Sequence, residues 1–218
     1  MRQREHLHPW HGLDARKHLL QGADNVLVNT AAVKRPELIS EIAQVMGCQS
    51  VMIYVEAKRR DGWWECLTDN ARECSGRNVV EWVKQAVFLG AGEVLLASVD
   101  RDGTRQGYDL ELIHAVSQGL AVPLIASGGC GKPEDAVEAV RAGADAVAVS
   151  SLLHYGAIDR INSPGSHHEG NLEYLRGRRG PALPGASIGA IKAALQQAGY
   201  SVRGPESPRF VPTSPRVG

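Results

Sequence analysis

The sequence predicts an α/β fold built on a parallel sheet, and three observations carry that prediction. Short apolar runs alternate with longer segments whose apolar residues recur at helical spacing. Three stretches share nearly one phrase, QGADNV, LGAGEV and AGADAV: a glycine suits a left-handed helix cap, and a short loop then drops into a strand. A recurring helix-to-strand unit of this kind builds parallel sheets. The third observation is that the apolar runs end on polar or glycine residues: Asn29-Thr30, Glu56, Asp100 through Asp102, Ser127-Gly128-Gly129 and Ser150-Ser151. Continuous apolar strands suit a doubly wound sheet and a barrel alike, since both cover the two faces of each strand. A barrel collects its chemistry at the C-terminal ends of many different strands, and polar or glycine residues at every strand end favour it.

Taken in chain order, strands are expected at Val26 to Val28, Ser50 to Val55, Val94 to Val99, Leu124 to Ala126 and Ala146 to Val149, each a short run rich in β-branched or aliphatic residues. Helices are expected at Pro36 to Met46, Val79 to Leu89, Leu110 to Ser117 and Glu134 to Arg141. Pro36 and Pro133 sit near helix starts, where a missing N–H costs little. Gly156 to Ser187 is rich in Gly, Pro, Ser and Arg and reads as an inserted loop on the face that carries the strand ends. The tail GPESPRFVPTSPRVG has little to bury and reads as disordered from residue 204 on.

Composition narrows the function classes. With 218 residues, 43% hydrophobic and 22% charged, one domain is the expectation. Lys plus Arg equals Asp plus Glu at 24 each, which removes the bulk positive field that would argue for nucleic acid. No apolar stretch approaches the roughly 18 to 20 residues of a membrane span, and the opening MRQREHLHPWHG lacks the apolar centre of a signal peptide. A cytoplasmic location is expected. Cys48, Cys66, Cys74 and Cys130 form no CxxC pair and read as reduced thiols. His6, His8 and His11 have no carboxylate or cysteine cluster to complete a metal site, so none is expected.

The segments GADNVLVNTAAV, EAKRRDGWWE, GAGEVLLASVDRDGTRQGYDLELI, PLIASGGCGKPEDAVEAVRAGADAVAVSSLLH and LQQAGYSVR together resemble the cyclase subunit of imidazole glycerol phosphate synthase. They fall in that family's order from about Asp14 to Arg203, and the AKRRDG stretch, which the resemblance makes a hairpin after the strand, resembles the cyclase far better than its sister isomerase. The resemblance implies a (β/α)8 barrel. It implies an activity that takes ammonia from a glutaminase subunit and converts a bis-phosphorylated aminoimidazole carboxamide ribotide intermediate to imidazole glycerol phosphate and an aminoimidazole carboxamide ribotide, with no cofactor. A family member opens with three βα units that residues 1–13 do not resemble. An incomplete barrel with about five parallel strands is therefore expected, its edges at Val26 and Ala146 open to pairing with a second copy.

The resemblance also assigns residues. Glu56 matches one of two catalytic carboxylates that divide acid and base roles. The family carries aspartate there, and glutamate places the carboxylate about 1.5 Å further out. The bland alternative is that Glu56 pairs with Lys58 or Arg59 on the rim. Ser127, Gly128, Gly129, Ser150 and Ser151, joined by Asp102 and Gly103, match one phosphate site; glycine allows the backbone to come close and offer N–H groups. Asn29 and Thr30 match part of the opposite site. Asp24 and Glu93 match residues that face the glutaminase, while the gate lysine is Asn25 here. Trp63 and Trp64 suit rim packing better than stacking on a substrate ring, and Cys130 stands in for a small residue beside the phosphate loop. Two other functions stay open: a phosphate- or partner-binding remnant without turnover, and a paralogue delivering ammonia to a surface-polysaccharide sugar.

Overall fold

A computed structural model of the protein describes residues 21–161 and 185–204. In chain order the elements are β1 (Val26–Val28), α1 (Thr30–Lys34), α2 (Glu37–Met46), a 3-10 turn (Cys48–Ser50), β2 (Val51–Arg60), β3 (Trp63–Thr68), β4 (Glu73–Asn78), α3 (Val79–Phe88), β5 (Glu93–Ser98), α4 (Leu110–Ser117), β6 (Leu124–Ser127), α5 (Pro133–Arg141), β7 (Ala146–Ala148), α6 (Ser151–Ile161) and α7 (Ile188–Gln197). Five strands form the parallel sheet in the order β1-β2-β5-β6-β7. The antiparallel hairpin β3-β4 is attached to the far half of β2. β1 and β3 therefore share one edge of β2, β1 against Val51 to Ile53 and β3 against Glu56 to Arg60.

The parallel order stems from the helix exits. Gly90 and Gly143 close α3 and α5 at φ of 110° and 116°, a conformation that costs glycine nothing. The alanine after each turns back to its helix, Ala91 N–H to Ala86 O and Ala144 N–H to Ala139 O, and both alanines are buried. That packing carries the chain into β5 and β7 over a few residues. Helix starts are capped by side chains: Asn78 Oδ1 accepts from the amides of Val80 and Glu81, and Asp109 Oδ1 from that of Leu112.

One face of the sheet is fully covered. Val26, Val28, Val51, Ile53, Val55, Val94, Leu96, Leu124 and Ala126 join Leu38, Ile39 and Ile42 of α2, Trp82 and Val83 of α3, Leu112, Ile113 and Val116 of α4 and Ala136 and Ala139 of α5 in one core. The alternating residues on the other face, Leu27, Met52, Tyr54, Leu95 and Ile125, are exposed or half-exposed among the described residues, Leu27 at 49%. Coverage of both faces was the expectation from the apolar runs; the described helices supply it on one side.

Two other expectations change, the end of the second strand and the start of the inserted loop. β2 does not stop at Val55 but runs to Arg60, because its charged half gains a ladder to β3 while Lys58 pairs with Asp100 and Arg59 with Glu111. Asn29-Thr30 and Ser150-Ser151 lead directly into helices α1 and α6. Residues 156–161, expected as the start of the inserted loop, belong to α6. The rest of that loop to residue 184, the tail from 205 and the divergent segment 1–13, with His6, His8 and His11, lie outside the described residues. Among the described residues no helix is long and apolar enough to cross a membrane.

Candidate active site

Aligned residues of neighbouring parallel strands point to one face. The register joins Glu56 to Ala97, Ala97 to Ser127 and Ser127 to Ala148, so one row crosses four strands on the open face. At about 4.8 Å per strand, Glu56 stands roughly 10 Å from Ser127. A carboxylate and the glycine- and serine-rich strand end thus share a surface.

A recess is built at the end of the row. Asp102, Ser127, Gly128, Gly129, Ser150 and Ser151 line an open recess of ≈ 110 Å³, room for several water molecules at about 10–15 Å³ each on that measure. Gly128 and Gly129 hold φ of 88° and 102°. A Cβ on Gly128 would lie 2.9 Å from Ser98 O, and one on Gly129 only 2.2 Å from Gly107 O, so both must be glycine for space as well as conformation. Ser151 opens α6, whose first turn is closed by the amides of Leu153 and His154 on Ser150 O; a helix N-terminus there favours an anion. Gly103, at φ 72° with open space around it, adjoins Asp102 but does not line the recess.

Glu56 lies 7% exposed in the middle of β2. Its Oε2 accepts from Asn29 Nδ2 at 2.7 Å and from the Ala71 amide at 3.2 Å. The rim pairing weighed from the sequence is not what the structure shows. Lys58 pairs with Asp100 at 2.7 Å, and Arg59 pairs with Glu111 while its guanidinium sits 5.1 Å over the Trp64 ring. Trp64 Nε1 donates to Asp109 Oδ2 at 3.2 Å, which makes it rim packing. Burial tends to raise the Asp100 carboxyl, but the Arg59 amide and the Lys58 ammonium outweigh it and hold it below the usual range. Asn29 Oδ1 is buried with no hydrogen-bond partner. Thr30 Oγ1 accepts from the Asp69 amide at 2.9 Å.

Two residues at the site were not singled out from the sequence. Tyr54 lies two positions before Glu56 and so on the same face; burial raises its hydroxyl, and the charges of Glu56 and Asp102 raise it further. Strand alternation was the available signal. Ala71 had none, because its amide reaches Glu56 only through the β3-β4 turn. Cys130 is buried with its thiol directed to Lys132 O, and burial pushes it up, which leaves it a poor nucleophile. At the opposite rim Glu93 accepts from Asn25 Nδ2 at 3.3 Å, and Asp24 is exposed. Among the described residues no group of three or more His, Cys, Asp or Glu side chains is placed to hold a metal ion.

A parallel α/β sheet, open and partial, with a glycine- and serine-lined recess on the loops after its last two strands defines a protein of the (β/α)8 barrel class. The family model described as "Histidine biosynthesis protein" matches residues 12–159, and the chain belongs to that family. It is similar to the imidazole glycerol phosphate synthase subunit HisF of Thermococcus gammatolerans, at 47% identity over 143 residues, 66% of this chain and 57% of the relative. The subunit of the same name from Streptomyces griseus is 46% identical over 157 residues, 72% of this chain and 62% of the relative. That from Beutenbergia cavernae is 42% identical over 191 residues, 85% and 64%. The chain thus spans about three fifths of the length of the curated relatives it matches.

Proposed function

We propose that the protein acts as a cyclase subunit of the imidazole glycerol phosphate synthase type. It would bind a phosphorylated aminoimidazole carboxamide ribotide and use ammonia supplied by a glutaminase partner to form imidazole glycerol phosphate and the released ribotide. The observation that carries the reading is the row from Glu56 to Ala148: it sets a buried carboxylate about two strands from an anion cradle on a surface that the described helices leave open. A phosphate held by Ser127, Gly128, Gly129, Ser150 and Ser151 would place the attached ribose along the row, with the imidazole precursor toward Glu56. Asn29 Oδ1, buried without a protein partner, is an acceptor for an N–H of the ligand at that end. Glu56 would take and return the proton moved in ring closure.

The ammonia would enter from the opposite rim, where Glu93, Asn25 and Asp24 would face the glutaminase. The test replaces the glutaminase by an ammonium salt and monitors consumption of the ribotide intermediate. Glu56→Gln should lower turnover by at least about 100-fold, the low end for a lost acid–base group, while glycerol phosphate still binds the cradle by calorimetry. Turnover unaltered by Glu56→Gln would reject the assignment.

A further inference from the structure

The β3-β4 turn holds its chain in a conformation that L-residues avoid. Asp69, Asn70 and Ala71 have φ of 53°, 55° and 59°, three successive left-handed residues, none of them glycine. Each such residue is disfavoured by local sterics, and departures of this sort concentrate where surrounding contacts hold them for a purpose. Here the contacts are visible. The turn is closed by the Arg72 amide on Thr68 O at 3.0 Å. The Asp69 amide reaches Thr30 Oγ1 at 2.9 Å and the Ala71 amide reaches Glu56 Oε2 at 3.2 Å. Two amides of one turn therefore grip side chains just after β1 and on β2, across 39 and 15 positions of sequence.

We propose that this turn is a latch that positions the Glu56 carboxylate, an assignment that deepens the function proposed above and rests on it for its catalytic consequence. Ala71 N–H and Asn29 Nδ2 both bind Oε2, so that oxygen is held from two sides, and the Tyr54 hydroxyl interacts with the same carboxylate. The latch is matched to glutamate. An aspartate at 56 would withdraw the carboxylate by about 1.5 Å, which would take a 3.2 Å contact out of hydrogen-bonding range. The left-handed turn thus answers the extra methylene of Glu56: it brings a donor to where the longer side chain ends. Ala71 is a positioning residue, not a catalytic one.

The experiment is a cycle on the full chain with two readouts. Ala71→Val places a β-branched residue where φ is 59°, which should displace the turn, while Ala71→Gly accepts that φ and should keep the residue-71 amide protected. In amide hydrogen exchange by NMR, protection at residue 71 should fall about ten-fold or more in Glu56→Asp, the scale of one hydrogen bond to a charged group. In the ammonium assay Ala71→Val should lower kcat about ten-fold with little change in KM, and by less than about two-fold when residue 56 is already Asp. Equal exchange at residue 71 in wild type and Glu56→Asp overturns the latch, as does an Ala71→Val effect that is the same in both backgrounds. Exchange needs no turnover, so a protein that shows the predicted exchange but no ammonium-dependent reaction keeps the latch and loses the cyclase reading.

Discussion

Replacing Gly129 by alanine tests whether the proposed phosphate site depends on two backbones crossing at contact distance. The added Cβ would stand 2.2 Å from Gly107 O and 3.0 Å from Arg101 Cβ, at φ 102°. The Gly107 carbonyl cannot simply withdraw, because the Gly107 amide donates to Gly129 O at 2.8 Å. Left-handed strain costs about 1–2 kcal/mol, and disruption of that backbone hydrogen bond about 1 kcal/mol more, for a total near 2–3 kcal/mol. Gly103→Ala is the control, since Gly103 has φ 72° but nothing within 4 Å of its would-be Cβ; it should cost only the strain, about 1–2 kcal/mol. The entropy that alanine removes from the unfolded chain is common to both and cancels in the difference. Urea melts of the two variants, read with calorimetry against glycerol phosphate, measure it. Gly129→Ala should be the less stable and should bind the phosphate at least about ten-fold more weakly than Gly103→Ala. Equal stabilities within about 0.5 kcal/mol, the spread of ordinary surface substitutions, would refute the crossing as the reason for glycine at 129.

The hairpin makes stability sensitive to acid. Glu65 is buried, the Gly76 amide and the Arg60 guanidinium hold its carboxyl below the usual range against the opposing effect of burial, and Asp100 is depressed as well. Carboxyls depressed in the folded state stabilise it above their unfolded values near 4 and lose that contribution as pH falls through the folded ones. The melting temperature should be flat from pH 7 to about 5 and then fall, and Glu65→Gln should flatten the acid limb; an unchanged limb in that variant would reject the role of the Arg60 pair. β1 and β7 each pair on one side only among the described residues, and Leu27 and Ile125 stand on the open face. Self-association is therefore expected, with sedimentation mass rising with concentration, and a compact monomer at every dilution that binds no apolar dye would refute it.

Local pattern determined much of this molecule. The five parallel strands, the four long helices from Glu37 to Arg141 and the glycine exits before β5 and β7 were legible because each depends on residues within about ten positions of one another. That the loops at Ser127-Gly128-Gly129 and Ser150-Ser151 meet was legible for the same reason: each is contiguous, and the parallel order brings them together. What the tertiary structure decided are the partners across long stretches of chain. Glu56 could meet Lys58 or Arg59 by proximity in sequence, yet Arg59 is taken by Glu111, 52 positions away, Lys58 by Asp100, 42 away, and Glu56 by Asn29, 27 away. The length of β2 was hidden because a charged strand gains its ladder only once β3 folds back on it. The hairpin's second strand was hidden because Glu73 to Asn78 alternates no apolar face. Ala71 is the extreme case. An alanine carries no chemistry of its own, and its amide becomes part of the site only when three residues turn left-handed and aim it at a carboxylate that another strand supplies.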